Sequence, residues 1–108
     1  MIVIITAQEG TIDSIVNERF GRSPYLIKVD TDSMAWEAFE NASIHHAHGA
    51  GIATAQFVID QKAELVMSGD FGPNAANTLN TAGIIAQIFP QKNMTVKEVV
   101  EYLKDNKR

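Results

Sequence analysis

The run Ile2–Ala7 constrains the fold of this chain more than any other segment. It is an unbroken series of apolar or β-branched side chains, and it contains no charged residue. A strand with one solvated face alternates apolar and polar residues, whereas a strand buried on both faces does not. The run therefore predicts a strand covered on both faces. The chain's 108 residues suffice for one domain with a real core.

Two more strands are predicted in the first half of the chain, at Tyr25–Val29 and Met34–Glu40. The polar turn Asp30–Ser33 joins them, and so short a connection makes the two strands antiparallel. The segment Gln8–Arg22 carries few apolar side chains and is interpreted as a long loop. Loops of this length are usually functional or mobile.

Helix and strand patterns alternate in the second half of the chain. The first helix is predicted over Gly51–Lys62, where Ile52, Ala55 and Ile59 mark an apolar face. The remaining predicted elements are a strand at Glu64–Ser68, a helix at Pro73–Thr81, a strand at Ile84–Phe89 and a last helix that opens with the capping box Thr95 and Glu98. The order β-β-β-α-β-α-β-α predicts an α/β fold in a single domain over residues 1–108.

Charge and missing residue types argue against several functions. A net charge of −4 disfavours a general nucleic-acid binder, which normally carries a basic face. There is no cysteine, so any iron–sulfur species would depend on histidine, on its own exogenous ligands or on non-covalent contacts. Sheet enzymes that cut nucleic acid with two metal ions need clustered carboxylates, and the first strand carries none. The sequence also contains no P-loop and no G-x-S-x-G motif. We therefore expect a protein that is not an enzyme.

The apolar start of the chain, Met1–Ile5, predicts no membrane association. It is too short to span a bilayer, and it lacks the basic lead and the cleavage site of a signal peptide. A cytoplasmic location is therefore expected. The oligomeric state stays open between a monomer and a homodimer.

The predicted topology brings four loops together. If the first three strands form an antiparallel meander, right-handed crossovers make the fourth and fifth strands parallel to the first. The loops after the first, third, fourth and fifth strands then lie at one edge of the sheet. Open α/β sheets bind their ligands beyond the carboxyl ends of the strands. We therefore expect a binding site at this edge.

The first loop would bring Arg19, Phe20, Gly21 and Arg22 to this edge. Two permanent cations beside a flexible glycine and an aromatic ring suit an anionic ligand. The alternative is a solvated arginine pair, with Phe20 filling the core.

The loop after the third strand carries the chain's three histidines, His45, His46 and His48. Imidazoles are common metal ligands and, when protonated, bind anions. The glycines that follow, Gly49 and Gly51, leave the backbone N–H groups of a helix start free for an anion. The alternative is a solvated loop whose histidines have no function.

The loop after the fourth strand contains Gly69 and Gly72 and leads into a helix that starts at Pro73. Its helix dipole would point toward the same edge. Asn74 either contacts a ligand or caps its own turn.

These motifs, in this order, resemble the dinitrogenase iron–molybdenum cofactor biosynthesis family, which includes the NifX and NafY proteins and the C-terminal region of NifB. The marks of the resemblance are the β-branched start, Arg19-Phe20-Gly21-Arg22, His48-Gly49-Ala50-Gly51 and Gly69-x-x-Gly72-Pro73-Asn74-Ala75. Their combination covers essentially the whole chain.

The resemblance implies an RNase H-like fold with a mixed five-stranded sheet flanked by helices. It also implies a non-catalytic carrier for an iron–sulfur or iron–molybdenum cofactor precursor, with cluster-assembly proteins as partners. His48, and more weakly His45 or His46, would be cluster ligands, with Arg19 and Arg22 as charge partners. The alternative function is a protein-interaction or regulatory module that binds a small anion outside nitrogen fixation.

Overall fold

The computed structural model describes residues 1–106 and contains five strands and three α-helices in that part of the chain. The elements are β1 (Ile2–Ala7), β2 (Tyr25–Asp30), β3 (Trp36–Glu40), α1 (Ala50–Asp60), β4 (Leu65–Ser68), α2 (Pro73–Thr81), β5 (Ile85–Ile88) and α3 (Val96–Asp105). Two short 3-10 helices, Phe20–Arg22 and Ala42–His45, lie in the loops before β2 and after β3. No helix among these residues is both long enough and apolar enough to cross a bilayer.

The five strands form one mixed sheet in the order β3-β2-β1-β4-β5. β2 is antiparallel to both β1 and β3, whereas β4 is parallel to β1 and β5 is parallel to β4. The predicted α/β class, mixed sheet and element order are confirmed. β1 is the middle strand, and its residues from Val3 onward are fully buried, which explains its unbroken apolar sequence.

Each face of the sheet has its own core. Val3 and Ile5 of β1 pack with the buried side chains of α3, among them Val99. Ile4 points to the opposite face and packs with the buried side chains of α1 and α2, including Val58 and Leu79. The start of α3 has the predicted capping box, in which the Thr95 and Glu98 side chains each accept a backbone N–H.

The turn between β2 and β3 is longer than predicted. β3 begins at Trp36 and not at Met34, because Met34 has a φ of 65° and cannot continue a strand. The Asp30 carboxylate accepts the backbone N–H groups of Asp32 and Ser33 inside this turn. These bonds, that from Asp32 first, hold the pKa of Asp30 below its ordinary value.

Gln8–Arg22 is a long loop, as predicted, apart from the 3-10 helix at its end, but contacts with the rest of the fold hold it in place. Val16 forms a β-bridge with Ala7 and is 2% exposed, and Ile15 forms a second bridge with Thr95. The few apolar side chains of this segment therefore anchor it to the sheet and to the start of α3. The part of the segment that carries the two arginines therefore follows residues whose position is fixed.

The apolar face predicted for α1 is correct at Ala55 and Ile59, which pack in or against the core, and wrong at Ile52. Ile52 is 45% exposed, whereas Thr54, Ala55 and Val58 are buried. Apolar residues surround most of this helix, so the sequence pattern alone does not define which face is buried. At the start of the helix, Gly51 lies close to Gly21 and to Ala75.

Candidate functional site

A cleft of about 580 Å³ opens at the carboxyl edge of the sheet. Its walls come from residues 19–22, 47–52, Asp70 and 72–75, which follow β1, β3 and β4. Three of the four loops predicted to meet here therefore do so. The loop near Pro90 does not line the cleft, because Phe89 and Met94 lead the chain into the core on the α3 side.

Hydrogen bonds to neighbouring strands position the arginine-bearing loop. The backbone N–H of Phe20 donates to the Asp70 carbonyl over 3.2 Å. At the other end of the loop, the buried Ser23 hydroxyl accepts the Ala7 N–H at 3.0 Å and donates to the Tyr25 carbonyl at 2.7 Å. Sequence reasoning missed Ser23, although a serine between a loop and a strand is a common backbone anchor.

Gly21 and Gly51 allow the wall of this loop to touch the start of α1. A Cβ added to Gly21 would lie 2.9 Å from both the Cα and the backbone N of Gly51. A Cβ on Gly51 would in turn lie 3.3 Å from the Ala75 Cβ of α2. The arginine loop, α1 and α2 therefore meet through their backbones and smallest side chains. These contacts bring the three loops together as the walls of one cleft.

Both helices that reach the cleft begin without a side-chain cap. Gly49 is the N-cap of α1, with a φ of 74°, and Gly72 is the N-cap of α2. The first-turn N–H groups of a helix have no acceptor inside it, so those of Ala50, Gly51 and Asn74 stay available for a ligand. Together with the helix dipoles, they make this edge favourable to anions.

The charged side chains along the cleft differ in sign and in whether hydrogen bonds hold them. Arg19 is exposed, and no hydrogen bond or ion pair within residues 1–106 holds its guanidinium. Arg22 is also exposed, but its Nη1 donates to the carbonyls of Ile44 and His46 at 2.7 and 2.8 Å. Asp70 is the one acidic residue among those that line the cleft.

A second depression, of about 640 Å³, lies at the opposite end of the strands, beside Met1, Leu65, Ile85 and Leu103. It is slightly larger than the cleft, but no helix begins there. The cleft is the better candidate, because its open backbone amides and Arg19 together supply the donors that an anionic ligand requires.

Comparison with known proteins agrees with this architecture. A family model described as dinitrogenase iron-molybdenum cofactor matches residues 1–106. The chain belongs to this family. No curated protein matches its sequence.

Three solved structures resemble this member of the dinitrogenase iron-molybdenum cofactor family. The orange protein from Desulfovibrio gigas, solved in its apo form, is 34% identical with a TM-score of 0.90, and the match covers 97% of this chain and 88% of that one. A Thermotoga protein provisionally described as a NifB protein is 31% identical with a TM-score of 0.79, over 96% and 87% of the two chains. A protein called PH0822 is 27% identical with a TM-score of 0.80, over 99% and 93%.

Most site residues expected in this family domain line the cleft. They are Arg19, Phe20, Gly21, Arg22, His48, Gly49, Gly51, Gly72 and Asn74. Gly69 does not line the cleft. It packs against Glu18 instead, and a Cβ added to Gly69 would lie 2.8 Å from the Glu18 Cα. Asn74 does not cap its own helix, because its side chain makes no bond there and Gly72 holds the cap position. The capping alternative is therefore wrong.

The structure places one of the three histidines at the cleft. All three are exposed, but His48 lines the cleft, whereas His45 and His46 lie outside its lining. Residues 1–106 contain no group of three or more histidine, aspartate, glutamate or cysteine side chains that could together hold a metal ion. A metal site that includes His45, His46 and His48 stays a prediction, and the geometry favours His48.

Proposed function

We propose that the cleft binds an anionic metal cofactor or its precursor, of the iron–sulfur or iron–molybdenum type, and that the protein carries it without catalysis. The observation that carries this proposal is the pairing of two uncapped helix starts with the exposed guanidinium of Arg19 around one opening. Family membership supports the same class of ligand.

The donors of the cleft match the chemistry of such a ligand. Sulfide-bridged metal clusters are anionic, and backbone N–H groups at helix starts stabilise negative charge without a specific side chain. Since the chain has no cysteine, His48 is the proposed direct ligand from the protein. Cluster-assembly proteins are the proposed partners, and the cytoplasm is the proposed compartment.

The size and lining of the cleft support a bound group of many atoms. Pockets that hold drug-sized ligands measure about 300 to 1,000 Å³, and the cleft, at about 580 Å³, lies within that range. A single small ion would leave most of this space solvated. With Asp70 as the one carboxylate in the lining, the cleft offers no pair of carboxyl groups for acid–base work, which supports a carrier.

Anaerobic titration with ferrous iron and sulfide tests this proposal. Wild-type protein should acquire charge-transfer absorbance, and His48→Ala should weaken binding at least tenfold because the direct ligand is lost. Asn77→Ala, on the exposed outer side of α2, should bind like wild type. Equal losses in His45→Ala and His46→Ala would instead indicate a three-histidine ligand set. Failure of the wild type to bind would contradict the cofactor proposal.

Gly72→Asp should change folding stability and ligand binding in opposite directions. An N-cap aspartate accepts first-turn N–H groups and favours the helix dipole, so the free energy of unfolding should rise by a few tenths of a kcal/mol. The same carboxylate would take N–H groups from the ligand and repel it, which should weaken iron and sulfide binding by about 10- to 100-fold. Chemical denaturation and the anaerobic titration measure the two effects.

Gly72→Ala is the matched control for this substitution. No atom lies within 4 Å of the Cβ it adds, and alanine brings neither charge nor acceptor. It should keep wild-type binding. Unchanged binding in Gly72→Asp would show that the start of α2 takes no part in the site.

The second candidate function is a regulatory or protein-interaction module that binds a small anion. The free N–H groups and Arg19 favour it, because neither is specific for metal. Binding would then resist metal chelators and would weaken when Arg19 and Arg22 are removed. Release of the ligand by a chelator would contradict this second candidate.

A further inference from the structure

The side chain of Arg22 connects two loops of the cleft. One amino group, Nη1, donates to the carbonyl of Ile44 at 2.7 Å and to that of His46 at 2.8 Å. These acceptors lie 22 and 24 residues further along the chain and flank His45. The carbonyl groups that Arg22 binds therefore belong to the segment that leads to His48.

This segment has few other restraints. At its start, the buried Asn41 side chain accepts the Ser43 N–H and bonds with the buried Thr54 hydroxyl of α1. At its end, Gly49 begins α1 in a left-handed conformation. Of the hydrogen bonds in the described part of the chain, those from Arg22 are the ones that reach residues 44–48 from another loop.

Arg19 lies three residues earlier on the same wall, and its side chain has no such partner within residues 1–106. We infer that the two arginines have different roles. Arg22 is a positioning residue that orders the histidine loop, whereas Arg19 is the cation that faces the ligand. The inference rests on the proposed function for its ligand-binding consequence, but the ordering of the loop does not depend on any ligand.

Arginine suits the positioning role better than lysine does. Its backbone is fixed on both sides, by the contact of Gly21 with Gly51 and by the buried Ser23. A lysine side chain there ends one bond earlier and carries a more strongly hydrated ammonium group. It would not reach both carbonyls without moving one of the loops. A cation that only attracts a nearby anion has no such geometric requirement.

Charge-conserving substitutions separate the two roles. In Arg22→Lys, amide hydrogen exchange at Ile44 and His46 should accelerate at least tenfold, since the loop loses its bonds to the neighbouring wall. In Arg19→Lys the exchange rates should match those of wild type. The midpoint of chemical denaturation should stay unchanged in both variants, which shows that the loosening is local. Lys62→Gln, on an exposed residue outside the cleft, removes one cation away from the site and is the control for Arg19→Gln in the binding measurement.

Ligand binding provides the second measurement, with ferrous iron and sulfide under anaerobic conditions as the probe. Arg19→Lys should bind within about threefold of wild type and Arg19→Gln at least tenfold more weakly, as expected for a point charge. Arg22→Lys should lose at least tenfold in affinity, and the charge-transfer band should shift or disappear because His48 is displaced.

The hydrogen-exchange and binding measurements test different parts of the inference. Wild-type exchange rates in Arg22→Lys would overturn the positioning role, whatever the ligand. Equal retention of binding in Arg19→Lys and Arg22→Lys would overturn the division of roles. If wild-type protein binds no iron and sulfide, the proposed function fails, and the exchange rates still decide whether Arg22 orders the loop.

Discussion

Phe20→Ala is expected to lower the free energy of unfolding by about 3 to 5 kcal/mol. The Phe20 ring is 1% exposed and packs in the core between the sheet, α1 and α2. Its centroid lies 5.0 Å from that of Phe71. Truncation leaves a cavity that this close-packed region cannot fill by a small movement. Urea or guanidinium denaturation, with an unchanged m-value, measures the loss.

Phe39→Ala is the matched control for this substitution. Phe39 lies on the edge strand β3, is half-buried and packs edge-on against Phe57 at a centroid distance of 5.1 Å. Its truncation should cost about 1 to 2 kcal/mol, since part of the site is already solvated. If Phe20→Ala costs no more than Phe39→Ala, Phe20 is not the core anchor of the arginine loop.

The Phe20 result also bears on the site. Phe20 is among the residues that line the cleft, but its side chain is buried in the core. The sequence-based alternative in which Phe20 fills the core is therefore correct for its ring. Phe20 therefore contributes to ligand binding through the position it imposes on Arg19 and Arg22.

Gly21→Ala is expected to destabilise the protein by about 2 to 3 kcal/mol, near the upper end of the overpacking range. The new Cβ would lie 2.9 Å from the Cα and N of Gly51 and 3.3 Å from the carbonyl carbon of Ala50. These atoms belong to the backbone at the start of α1, so no side-chain rotation relieves the contact. The midpoint of denaturation measures the effect, and binding of iron and sulfide should fall as the cleft walls separate.

Gly72→Ala provides the comparison for this substitution as well. It makes the same chemical change at a position with no atom within 4 Å of the new Cβ and with a φ of −65°. Its cost should be limited to the poorer N-cap, about 0.5 to 1 kcal/mol. Equal losses in the two variants would show that the close approach of Gly21 and Gly51 is not what limits stability.

Local patterns predicted the elements of this fold well. The apolar run of β1, the short turn between β2 and β3 and the capping box of Thr95 and Glu98 each act within a few residues, so each is legible in the sequence. The predicted strand directions followed from them, because short turns force antiparallel pairs and helical crossovers join parallel ones. The errors at Met34 and at Ile52 arose where the local pattern permits more than one backbone conformation or more than one buried face.

The sequence by itself determined the α/β class, the mixed five-stranded sheet and the edge at which the arginine, histidine and glycine motifs gather. The tertiary structure decided how those motifs work. It placed the Phe20 ring in the core and brought Gly21 against Gly51. It left Asn74 out of the N-cap of α2, and within residues 1–106 it gave the Arg22 side chain, but not that of Arg19, hydrogen-bond partners. The physical reason is distance along the chain. Arg22 and His46 are 24 residues apart in sequence, and only packing brings the guanidinium within 2.8 Å of that carbonyl.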